Sequence, residues 1–466
     1  MALIIEQEPL YAVLTAGQDI IFSVSNTNIV QSHQRVKFIA EVSISDQAIV
    51  PTTTPIGTFK TTPNGVGIGM FDFSPILESF VSPDNLAATS SSYKSAVTAT
   101  NTPLPIHLID EFTRNKNLVR YFRIVFKTEY LDLITNTIVE DTSILSTINF
   151  TYCNGYLKYT DVLDTSNSDF GYNLSKYYLN HVAVIGDVTG KFLTNAPMVQ
   201  NALATDYGTV AMFSFPNGAS NDLNYIRLMY TEDDGTVTTE DVSNAYSNGG
   251  FTVWSSASEN QITYFGCYPA NIYGWSTTFK ALVDAGTLVS YTVQAYGTGA
   301  VAVTEPLTIN ILCPTLKGYE PIRLTWLNQW GVWDYYTFNM KSTKMISTKG
   351  STYDQLAGTW NEKHYRPNSY KGGKKSFRVN STEKIKMNTD FVSEAESEWF
   401  EELINSPEVY ILEGFQTDTN LSALNNYVTP VRLTTSSYTR KTIANDKLMQ
   451  YTFEVEKSKT LRTQSV

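Results

Sequence analysis

The chain has 466 residues, of which 42% are hydrophobic and only 17% charged, and it carries a net charge of −11. Those values exclude general disorder and a chain that wraps nucleic acid over its whole surface. With 26 Gly and 17 Pro it is not collagen-like or of low complexity. No apolar run approaches the roughly 18 residues of a membrane-spanning helix, so membrane insertion is not expected.

Met1 to Glu8 carry no basic residue and only a short apolar stretch, so a secretory signal is not expected and the expected site of synthesis and assembly is a cytoplasm. Downstream, period two dominates. Strands are predicted at Ile20 to Val24, Val36 to Ile44, Phe122 to Phe126, Tyr225 to Tyr230, Leu288 to Ala295, Val409 to Leu412 and Met449 to Val455. Asn64-Gly65, Asn154-Gly155, Asn217-Gly218, Asp234-Gly235 and Asn248-Gly249 read as tight turns, since these pairs accept positive φ. A short helical turn is predicted at Ser74-Pro75, with Ser as cap. A longer helix is predicted over 393–405: Ser393 and Glu396 form a capping box, Ala395, Trp399 and Leu403 share a face, and Asn405-Ser406-Pro407 stops it.

The expected fold is mainly β: multidomain antiparallel sandwiches or barrels with few short helices. About 150 residues per domain suggests three domains, 1–158, 159–313 and 314–466, with boundaries near Tyr159 and Pro314. Charge divides the chain at the second boundary. Residues 314–466 hold 20 basic and 17 acidic residues, whereas 1–313 hold 14 basic and 28 acidic.

Signatures of chemistry are sparse. Gly65 to Met70 lacks the last glycine of a dinucleotide loop, and Gly186 to Lys191 has Phe192 where a phosphate loop needs Ser or Thr. Glu232 to Gly235 lacks full calcium-loop spacing and reads as a hairpin turn. Three cysteines and four histidines, widely spread, form no disulfide framework or zinc spacing. No catalytic residue, cofactor or metal is expected.

Two segments stand out. Tyr319 to Phe338 contains Trp326, Trp330, Trp333, Tyr335, Tyr336 and Phe338, and reads as a hairpin turning at Asn328 to Gly331. Its rings either build the core of the C-terminal domain or, through Trp330 and Trp333 near the turn, anchor a partner. The second segment, Lys341 to Lys386, holds 11 basic residues against Asp354, Glu362 and Glu383. Gly372-Gly373 suggests a hairpin tip, with Lys371, Lys374, Lys375 and Arg378 around it. This is either a solvated edge strand guarded by lysines or a surface that docks on an acidic partner, such as residues 1–313 of another copy.

The C-terminal third resembles virion proteins of tailed bacteriophages, of the tail, neck-ring or baseplate kind, including those of crAss-like phages. Arg323 to Asn328 with Gly331 and Trp333-Asp334-Tyr335, Glu398 to Leu403 with Ser406 to Tyr410, and Pro430-Val431 with Tyr451 to Glu456 carry the resemblance. Phe71 to Leu77 is similar to the same group. The resemblance implies a structural role in a virion, with copies of itself in a ring and other tail, neck or portal-side proteins as partners, and implies no catalytic residue. Nucleic-acid contact is not expected. A receptor- or carbohydrate-binding virion protein and a glycan-degrading virion enzyme are the alternatives.

Overall fold

The computed structural model describes residues 3–47, 50–51, 54–85, 105–109, 112–115, 117–158, 163–164, 171–177, 179, 190–214, 223–243, 245–246, 251–252, 261–297, 300–312, 318–413, 427–439 and 449–462. The chain is mainly β, built of several mostly antiparallel sheets, and its helices are short and few among the described residues. It divides into two compact units. One comprises 1–312, 327–334 and 415–425; the other comprises 313–326, 335–414 and 426–466.

In the first unit, two facing sheets share one core. Ile4–Gln7, Ile21–Ser25 and Ile68–Asp72 form a three-stranded sheet. A larger sheet runs in the order Val13–Thr15, Phe150–Cys153, Val119–Asp132, Gln34–Ser45, Gly57–Thr61. Alternation explains the packing: Phe122, Ile124 and Phe126 are fully buried, while Arg123, Val125 and Lys127 on the other face are half-buried. They meet Phe22, Val24, Phe71 and Phe150, and Phe22 stands edge-on to Phe150 at 5.6 Å. Asp72 Oδ1 accepts the Ser74 backbone N–H at 3.0 Å ahead of the short helix Ser74–Glu78. The helix cap is therefore Phe73, one residue earlier than the expected Ser74, and no side chain caps the helix; Asp72 instead braces the turn that leads into it.

A second layered core follows in the same unit. Five strands run in the order Val199–Leu203, Leu307–Leu312, Leu288–Gly297, Leu223–Glu232, Val237–Ser243. A three-stranded sheet, Thr209–Ser214, Gln261–Gly266 and Phe112–Asn115, completes it. Phe112–Asn115 lies early in the sequence yet pairs with Gln261–Gly266, and Asn271 Nδ2 donates to the carbonyls of His107 and Ile109 at 3.0 and 2.6 Å. The stretches expected as separate domains, 1–158 and 159–313, consequently fall in one compact unit. Tyr159 and Pro314 lie outside the described residues, as do Gly186, Asn217-Gly218 and Asn248-Gly249.

The second unit is one sheet, in the order Trp333–Phe338, Ile322–Leu327, Val409–Leu412, Val428–Leu433, Thr452–Lys457, Gly373–Asn388, Thr343–Gln355. The helix Glu394–Asn405 packs on it behind the expected capping box: the Ser393 hydroxyl accepts from Glu396 N–H at 3.2 Å, and Glu396 Oε2 accepts from Ser393 N–H at 2.7 Å. The buried face differs from expectation. Ala395 is exposed, whereas Ser397, Trp399, Phe400 and Leu403 are buried. Phe400, adjacent to Trp399, turns the apolar stripe toward Tyr336, Phe338 and Phe453, at ring distances of 4.8, 6.3 and 5.5 Å.

Candidate docking arm and the aromatic turn

Trp330 and Trp333 lie at the turn expected from sequence, and both are only 2% exposed. The turn is organised by Asn328, whose backbone N–H donates to Val332 O at 2.8 Å while its Oδ1 accepts from the N–H of Trp330 and Val332. Gly331 supplies the left-handed backbone the turn requires, at φ +74°. Residues 327–334 belong to the first unit, and its loops enclose them. Asn328 Nδ2 donates to Leu193 O at 3.0 Å, Tyr156 N–H donates to Gln329 O at 2.8 Å, and Thr194 Oγ1 donates to Asp334 Oδ1 at 2.7 Å. Trp330 packs on Tyr177 with ring centroids 4.1 Å apart, and Trp333 meets His107 edge-on at 4.8 Å. A partner anchor must reach solvent, so these two tryptophans are corrected to packing residues of the first unit. Neither do they sit in a C-terminal core, the other expectation.

Asp84 lies against the same turn. Its carbonyl accepts the Trp333 indole N–H at 2.9 Å, and its carboxylate oxygens are buried with no hydrogen-bond partner among the described residues. Burial raises the Asp84 pKa to about 8, with the charge of Arg120 opposing the shift. Nothing in the sequence around Pro83-Asp84-Asn85 marks this carboxyl as buried.

The basic segment is different in kind. Thr343–Gln355 and Gly373–Asn388 pair over their whole length, forming an arm that is about 40 Å long at ~3.4 Å per residue. Among the described residues only its base is flanked: Lys384 to Asn388 pair with Thr452–Lys457, and Asn380 and Ser381 with Leu461–Arg462. From Val379 outward the arm is a two-stranded ribbon with almost every residue exposed. The Tyr353 and Phe377 rings meet across it at 6.3 Å, next to an irregularity between Ser351 and Thr352. Such a ribbon buries little apolar surface and would be marginal in isolation.

The tip spans 356–372, not Gly372-Gly373. Those two glycines instead turn the chain back into the second strand at φ +99° and +75°. The loop has its own order: Arg366 N–H donates to Thr359 Oγ1 at 3.0 Å, Arg366 pairs with Glu362 at 3.3 Å, and Lys371 N–H donates to Asn368 O at 3.1 Å. Yet Leu356, Trp360, Tyr365 and Tyr370 remain exposed, Trp360 at 78%. This apolar patch was missed by sequence reading because its residues are spaced irregularly, without period two or period 3.6.

The candidate cations sit beside that patch. Lys374, Lys375 and Arg378 are exposed and Lys371 half-buried. Lys375 Nζ donates to Tyr370 O at 2.9 Å, Arg378 Nε donates to Asn380 Oδ1 at 3.1 Å, and Lys371 Nζ stands 5.9 Å from the Tyr370 ring centre. Among the described residues none of these four forms an ion pair, whereas Lys384 and Lys344 at the arm's base pair with Glu454 and Glu320. Lys374, Lys375 and Arg378 thus lie on the strand that begins at Gly373 and Lys371 in the loop before it, and the sequence could not tell paired from unpaired cations. Exposed rings rimmed by unpaired positive charge are the composition of a docking surface for an acidic, partly apolar partner. Among the described residues no three His, Cys, Asp or Glu side chains gather in a metal-holding group. No protein-family model and no curated protein matches the chain.

Proposed function

We propose that this chain is a structural subunit of a tailed-phage virion, assembling with copies of itself into a ring of the tail, neck or baseplate and joining neighbouring virion proteins. The arm is the observation that carries the reading. A two-stranded ribbon with exposed Trp360, Leu356, Tyr365 and Tyr370 gains stability when a partner covers it, and rigid β modules behind it transmit load without turnover. The charge division along the sequence and the resemblance of residues 314–466 to virion proteins support the same reading. Light scattering of the purified chain after size exclusion, with proteomics of purified particles, tests it. A multimer present in virions is expected; a monomer absent from particles would reject it.

One observation favours a second reading, a carbohydrate-binding virion protein: the exposed ring of Trp360 with Tyr365 and Tyr370 nearby in the loop offers apolar faces to a sugar. Glycan-array binding abolished by Trp360→Ala would support that reading over the first.

A further inference from the structure

The first unit carries a surface of opposite charge and similar apolar content. The hairpin made by Val119–Asp132 and Thr137–Glu140 exposes Leu133, Ile134, Ile138 and Val139, with Ile134 at 94%. Residues 129–141 include Glu129, Asp132, Glu140 and Asp141 and no basic residue. The outer strand Thr137–Glu140 is wholly exposed and pairs with Val119–Asp132 alone among the described residues, which leaves one edge open. Its turn is firmly built, since Asp132 accepts from Ile134 N–H at 2.9 Å and from the Thr135 hydroxyl at 2.8 Å. Glu129 is taken up by Lys60, and Glu140 lies 3.8 Å from Lys127, at the outer limit of an ion pair.

The arm is the counterpart. Its outer part, 349–378, holds seven basic and two acidic residues. We propose that the arm of one copy docks on the acidic hairpin 129–141 of a second copy. Leu356, Trp360 and Tyr370 cover Ile134 and Ile138, while Lys374, Lys375 and Arg378 face Glu140 and Asp141. This deepens the self-assembly reading above and rests on it. Two different surfaces of identical chains meet in such a contact, so each copy offers one free arm and one free acceptor, and the series closes into a ring or winds into a helix. Charge complementarity, with each charge group bordering an exposed apolar patch, selects a second copy of this chain as the occupant. An anionic polymer would satisfy the lysines and leave the apolar tip uncovered.

The test uses the full chain, mixed in equal parts as 15N-labelled and unlabelled protein and treated with a carbodiimide that joins amines to carboxylates. Mass spectrometry is expected to find heavy–light links from Lys371, Lys374 or Lys375 to Asp132, Glu140 or Asp141. A multimer without such links overturns this contact but leaves the ring reading standing, whereas a monomer at every concentration overturns both. Lys374→Glu with Lys375→Glu should weaken self-association by about tenfold or more with the circular-dichroism spectrum of the folded chain unchanged. Mixing that variant with a Glu140→Lys variant should restore association. Failure of the rescue, or undiminished assembly of the double variant, counts against the contact, as does its replacement by binding to a single-stranded oligonucleotide.

Discussion

The indole N–H of Trp333 donates to the carbonyl of Asp84 at 2.9 Å, a hydrogen bond that spans 249 positions of sequence. It holds a buried turn against a loop that no local pattern connects with it. Trp333→Ala should destabilise the first unit by about 3–5 kcal/mol through the cavity and the lost bond. Trp333→Phe, which keeps most of the volume, should cost roughly 1–3 kcal/mol. Denaturant unfolding followed by intrinsic fluorescence measures both, and a Trp333→Phe chain as stable as the native one would show that the hydrogen bond contributes nothing.

Asp84 gives a pH dependence with a defined sign. Its carboxyl titrates near 3.8 in an unfolded chain and near 8 in the folded one, because burial disfavours the charged form. The folded state therefore keeps a proton that the unfolded state releases. Stability is unpenalised below about pH 4, declines by at most about 1.4 kcal/mol per pH unit up to pH 8, and levels off above it. Asp84→Asn should flatten this decline, so that its advantage over the native chain is larger at pH 8 than at pH 5. Unfolding curves at the two values decide the matter; a constant difference would mean that Asp84 does not hold its proton.

Gly331 is required by two independent constraints. Its φ of +74° is left-handed, and an added Cβ would lie 2.7 Å from the Asn154 carbonyl oxygen. Gly331→Ala should cost at least about 1–3 kcal/mol. By contrast, Gly235→Ala meets nothing within 4 Å at φ +86° and should cost only the backbone strain, about 1 kcal/mol. Thermal melts of the two variants side by side check the order.

In the second unit, Trp399→Ala should destabilise by about 3–5 kcal/mol, since the ring is buried 4.8 Å from Trp326. Ser393→Ala removes the capping box and should cost about 0.5–2 kcal/mol. Trp360→Ala should leave stability within about 0.5 kcal/mol while impairing assembly, as expected of an exposed residue. A melting temperature lowered as much by Trp360→Ala as by Trp399→Ala would place Trp360 in a core.

Much of the local structure was legible in the residues. Phe122, Ile124 and Phe126 alternate and are buried together, and Ser393 with Glu396 marks the helix start to the residue. Asn328 to Gly331 was readable as a turn, because asparagine and glycine there meet a specific backbone need. The candidate site was legible only in part. Lys371, Lys374, Lys375 and Arg378 proved to lie along the arm, but Trp330 and Trp333 look the same in sequence as exposed anchors would, and Trp360 gave no periodic signal.

The residue order alone set the β character, the capped helix Glu394–Asn405 and the segregation of positive charge into 341–386, for these depend on spacings of two to four residues and on composition. Tertiary structure alone decided that residues 327–334 join the first unit, that Asp84 loses its water and that the paired strands within 349–378 lie exposed. Alternation tells which side chains leave water but not which distant segment receives them. That choice is made by packing and hydrogen bonds between parts of the chain hundreds of residues apart.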